Sequence, residues 1–136
     1  MANKLFIMLQ NTTPDNPHQL GAPFFQAAAA ATMDYEVEMV LTADAGLLMK
    51  KGVAENLRVK TGSPKSVYDF IKDAYEAGVV LKVCTPALEL NNFTKDDLIP
   101  ECSGVVGGAY VVEMSMIFQC FCSRGYKPRE KRSFIK

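Results

Sequence analysis

The stretch Val79-Val-Leu-Lys-Val-Cys84-Thr-Pro86 puts a thiol where an apolar run stops and a Thr-Pro turn starts. With Thr85 as an N-cap and Pro86 as the first helical residue of 86–90, the unpaired amides and positive end of a helix lie beside the sulfur. Such a place favours the thiolate, which is the nucleophilic form. Packing is the competing account, because free cysteine is among the most buried residue types and often serves as a small hydrophobe. Spacing alone leaves both open.

Other residues capable of chemistry are few. His18, the only histidine, lies in the Asn- and Pro-rich segment 10–23, as does Thr13. With Thr85, these two are the substrate-binding candidates beside a catalytic Cys84. Cys102 is read either as a second redox thiol reaching Cys84 or as an ordinary loop residue. Cys120 and Cys122 are one residue apart and so share one strand face, a packing pattern. With no His pair and no Cys-x-x-Cys, no metal site is expected. Neither Gly-x-x-x-x-Gly-Lys-Ser/Thr nor Gly-x-Gly-x-x-Gly occurs, which disfavours a nucleotide or flavodoxin-like flavin protein, and there is no Gly-x-Ser-x-Gly elbow. The chemistry expected of Cys84 requires no cofactor.

Positioning these residues falls to alternating strands and helices. Residues 4–9 form a continuous apolar run, as in a strand covered on both faces. The loop 10–23 follows, then a helix over 24–33 whose alanines 27–31 allow close approach to a sheet. Residues 37–42 read as a second strand and 47–51 as a short helix ended by Gly52. Ser63-Pro64 supplies the N-cap and first residue of the next helix, with Val67, Phe70, Ile71, Ala74 and Tyr75 on its core face and Gly78 as its stop. Residues 79–83 are a third strand, in which Lys82 implies a face reaching solvent or a neighbouring subunit. Thr94-Lys-Asp-Asp97 has the form of a capping box. A short strand at 103–107, a helix over 108–115 and a last strand at 116–122 complete the pattern. The expectation is an α/β fold: three layers, α/β/α, around a five-stranded, mainly parallel sheet. Ligands then gather beyond the carboxyl ends of the strands, at loops 10–23, 43–46, 84–93 and 107–109.

The 136-residue chain is 49% hydrophobic and 22% charged, which suits one soluble domain over 1–123. No stretch is long enough to span a bilayer and no signal-peptide pattern opens the chain, so the expected location is the cytoplasm, with no membrane partner. The basic tail 124–136 has six basic residues against Glu130, a net +5 balanced by −5 elsewhere. Without aromatic-basic interleaving it points to solubility, subunit contact or a partner surface rather than nucleic acid.

The order of these motifs resembles the DsrE/DsrF-like family of bacterial and archaeal sulfur metabolism, which includes sulfur relay subunits and peroxiredoxin-like relatives. The resemblance covers most of 4–122. It is strongest from Ala77-Gly78 through the strand, Cys84, Asn92-Phe93 and Lys95-Asp96-Asp97-Leu98-Ile99 to Gly107-Gly108. It implies that Cys84 carries sulfane sulfur as a persulfide and passes it to a partner thiol. It also implies a sulfur donor or acceptor protein and assembly into dimers, trimers or hexamers. Glu89-Leu90-Asn91-Asn92 stands where relay subunits tend to have arginine and glycine, and here the likeness is closer to the peroxiredoxin-like branch, so donor and acceptor are not carried over. The alternative function is a non-catalytic, oligomeric small-ligand-binding module of the same fold, with Cys84 as lining.

Overall fold

The computed structural model describes residues 4–10, 12–117 and 119–122, the last four and Ile117 by their backbone alone. Its strands are β1 (Lys4–Leu9), β2 (Glu36–Leu41), β3 (Val80–Cys84), β4 (Cys102–Val106) and β5 (Gln119–Cys122). All pair in parallel, in the order β4-β3-β2-β1-β5. Four α-helices connect them: α1 (Gly21–Thr32), α2 (Val67–Ala77), α3 (Thr85–Leu90) and α4 (Gly108–Ile117). The basic tail 124–136 lies outside the described residues.

The strand order explains why the two sheet faces differ. From β1 to β4 the chain advances in one direction, so right-handed crossovers put α1, α2 and α3 on one face. Ile7, Leu9, Met39, Leu41, Leu81 and Val83 point that way and meet Phe24, Ala27, Ile71, Ala74 and Ala87 in the main core. Only the step from β4 to β5 runs back across the sheet, which carries α4 to the opposite face. There Phe6, Val40 and Cys84 form a small buried cluster under Val111 and Met114 of α4. The three layers are thus unequal, and Cys84 belongs to the thin side.

Helix starts depart from the sequence pattern in three places. The helix α1 begins at Gly21 rather than residue 24, since Pro23 in its first turn has no amide to leave unpaired. The helix α2 begins at Val67, capped by Ser66 in a reciprocal box with Asp69, and Ser63-Pro64 sits in the preceding turn. A proline start is outcompeted here by a cap that satisfies two backbone donors. Along α2, Val67, Ile71 and Ala74 are buried, whereas Phe70 is half-buried and Tyr75 is 47% exposed. Thr94 and Asp97 form the box their spacing suggests, around a 3-10 turn. The third correction concerns α3 and falls on the site itself.

Candidate functional site

Cys84 is both the last residue of β3 and the N-cap of α3, with extended backbone (φ −81, ψ 139). Thr85 is therefore inside the helix, and the cap falls one residue earlier than the Thr-Pro spacing suggests. Its hydroxyl turns away and donates to the Val106 carbonyl at 3.2 Å, tying the start of α3 to the end of β4. The thiol is only 5% exposed, held among Phe6, Val40 and α4 side chains. Desolvation by these neighbours pushes its pKa up, and the backbone amide of Thr85 opposes this without overcoming it. The expectation of a resting thiolate is overturned: one amide of a six-residue helix does not outweigh an apolar surround.

What remains open on the outer side of Cys84 is a groove of about 600 Å³ lined by Thr42, Ala43, Cys84, Pro86, Glu89 and Leu90. It lies where β2 and β3 end. Ala43 adopts a left-handed φ of 49°, a conformation that costs a non-glycine residue about 1–2 kcal/mol. Asn91 helps hold it, donating to the carbonyls of Ala43 at 3.3 Å and Ala87 at 2.8 Å. Below, Gly46 lets α3 approach closely: a Cβ there would stand 2.5 Å from the Ala87 Cβ. Groove shape is thus fixed by contacts between the segment after β2 and α3.

Beneath Cys84 on the same sheet face lies a polar cluster. Lys82 Nζ is 2.7 Å from Glu38 Oε1 and donates to the Tyr110 hydroxyl at 2.6 Å, and that hydroxyl donates in turn to Glu38. Burial pulls the Lys82 pKa down most strongly of any single influence, yet its bonds to Glu38 and Tyr110 carry it above the usual value. Lys82 therefore finds a counter-charge inside the chain. Through Tyr110 the cluster fastens α4, and with it the cover over Cys84.

The remaining candidates are dispersed. His18 is exposed on a 3-10 turn (Pro17–Gln19), Thr13 is half-buried, and neither they nor Thr85 line the groove. Cys102 is level with Leu81 across the β3–β4 pair and packs against the main core. It thus lies on the opposite face from Cys84 and about 10 Å back along the strands, by three rises of about 3.3 Å. A pair between them is excluded by geometry, and both are free thiols. In backbone register, Cys120 and Cys122 are level with Phe6 and Met8. Among the described residues no cluster of His, Cys, Asp and Glu could hold a metal, and no helix is long and apolar enough to cross a membrane. Sequence reasoning missed Thr42, Ala43, Glu89 and Leu90 as lining. The only signal was that loops 43–46 and 84–93 both fall at the carboxyl edge.

The model of the DsrE/DsrF-like family matches residues 4–117. The chain belongs to that family. It is a family associated with sulfur relay. No curated protein matches the sequence. The YchN protein of E. coli has a similar crystal structure, with a TM-score of 0.71 and 13% identity over 90% of this chain and 99% of that one. MTH1491 of Methanobacterium thermoautotrophicum, described as a protein of unknown function, gives 0.64 and 12% over 88% and 98%. At such identities the likeness to these two establishes the DsrE-like α/β fold, and the site must be argued from this chain's own residues.

Proposed function

We propose that this DsrE-like protein is a cytoplasmic sulfur carrier that holds sulfane sulfur on Cys84. The observation that supports it is the position of Cys84, a thiol at the carboxyl end of β3 that borders the groove while the rest of its surface is buried. Once deprotonated, Cys84 attacks the outer sulfur of a donor persulfide R–S–SH. The Cys84 S–S bond forms and the donor S–S bond breaks. R–S⁻ leaves with the electron pair and takes up a proton, so that thiol and persulfide exchange places with no oxidant consumed. Transfer onward is the same step in reverse, with an acceptor thiolate attacking the outer sulfur of Cys84–S–SH. Burial suits the holding stage, because a persulfide enclosed on one side is shielded from stray thiols. A partner protein and a homo-oligomer form part of the proposal, consistent with Val112 and Met116 of α4 being 63% and 83% exposed.

A second reading, a small-ligand-binding module with Cys84 as lining, draws on the raised thiol pKa. Cyanolysis separates the two. After incubation with a polysulfide donor and desalting, the carrier yields about one thiocyanate per chain and Cys84→Ser yields none above background. Equal yields from both would refute the carrier. An iodoacetamide-inert Cys84 in a protein that purifies with a bound small molecule would establish the module.

A further inference from the structure

Of the six described residues that line the groove, one is charged, and it is the acid Glu89. Asp44, also exposed, directly follows the lining residue Ala43. The rest of the wall is apolar or neutral, with Leu90 62% exposed at the rim. Among the described lining residues there is no cation to receive an anion. The common small sulfane carriers in water, thiosulfate, polysulfide and glutathione persulfide, are all anions. Their approach to Cys84 brings like charges together in a concave place where field lines concentrate. A thiol flanked by apolar and basic groups meets the opposite situation.

On the carrier reading of Cys84, we infer that the groove selects its sulfur partner by charge. Glu89 is the specificity-determining side chain, disfavouring anionic small donors and favouring a protein cysteine set among apolar and basic residues. Leu90 and Pro86 offer the apolar contact such a segment would cover, and Glu89 the counter-charge. The work is done on the approach of the partner, so the effect is on rate and is sensitive to salt.

The test uses three methanethiosulfonate reagents whose side groups are cationic (aminoethyl), neutral (methyl) and anionic (sulfonatoethyl). In each, the Cys84 thiolate attacks the thio sulfur and the new disulfide bond forms. The bond to the sulfonyl group breaks, methanesulfinate leaves with the electron pair, and the Cys84 proton goes to buffer. Rates are read at Cys84 by peptide mass, separating it from Cys102, Cys120 and Cys122. The cation-to-anion rate ratio in the folded chain is expected to exceed that of the urea-unfolded chain by about fivefold, the size of one unit charge several ångströms from a solvated site. Glu89→Gln should bring the ratio close to the unfolded value and Glu89→Lys should invert it. About 1 M salt should flatten it, the Debye length there being about 3 Å. A ratio indifferent to both substitutions overturns the charge selection alone. Failure of the neutral reagent to modify Cys84 in the folded chain overturns the carrier reading itself, and the selection with it.

Discussion

Lys82 on β3 and Glu38 on β2 form an ion pair of 2.7 Å on the sheet face that carries Cys84 two residues further along β3. Glu38 is 7% exposed, and Lys82 stands beside it as counter-charge where water scarcely reaches. Lys82→Met should cost about 3 kcal/mol of unfolding free energy, because it strands a buried carboxylate. Adding Glu38→Met should recover much of that loss. Urea unfolding of the two variants measures both, and a single variant as stable as the parent would remove the cluster's structural role.

At the other end of β4, Tyr68 donates to Glu101 Oε1 at 2.7 Å, and burial, then that bond and charge, raise its pKa to about 12. Lys82 and Tyr110 are raised as well. A group raised on folding contributes stability that is whole below its unfolded pKa and is lost as pH climbs through the folded value. Stability should therefore be level up to about pH 9, where the raised thiols of Cys84 and Cys102 begin to titrate in the unfolded chain, and decline further from about pH 10, near the ordinary values of Tyr and Lys, to about pH 12. Urea midpoints across that range test this. Tyr68→Phe should make the decline shallower, and it should also destabilise the fold at neutral pH by about 1–3 kcal/mol, because Glu101 Oε2 already lacks a partner among the described residues.

The raised pKa of Cys84 has a kinetic consequence. Since the thiolate reacts, alkylation by iodoacetamide at Cys84 should reach half its plateau above the value of 9.0 usual for the group. At neutral pH it should be slower than in the unfolded chain. A profile with its midpoint below that value would mean the helix amide prevails over burial after all.

Groove shape rests on the contact of Gly46 with Ala87 and Val83. Gly46→Ala puts a methyl 2.5 Å from the Ala87 Cβ, so α3 must shift. The overpacking should cost about 1–3 kcal/mol and slow modification of Cys84 by the neutral methanethiosulfonate. Unchanged stability and rate would show that α3 yields freely.

How much of this was written in the sequence differs from residue to residue. The run at Lys4–Leu9, the Thr94–Asp97 box and the glycine stop at Gly78 were legible because each depends on its own neighbours. Ser63-Pro64 misled for the same local reason: Ser66 and Asp69 made a fuller cap three residues on. Lys82 in a strand was visible, but its partner is on another strand and its second contact on α4, so no window along the chain joined them to it. Cys84 was found at its strand end, whereas its protonation was misjudged because the desolvating Phe6 and Val40 come from two other strands. Ala43 carries no mark of its left-handed backbone, which is imposed by folding and held by Asn91.

In the proposed function, sulfur resides on Cys84. The most direct test is peptide-resolved mass spectrometry after exposure of the folded protein to a sulfane donor and capping with a neutral alkylating reagent. One added sulfur atom is expected on the peptide containing Cys84, removable by a reducing thiol, with Cys102 capped as an unmodified thiol. Added sulfur on Cys102, Cys120 or Cys122 while Cys84 stays bare would contradict it.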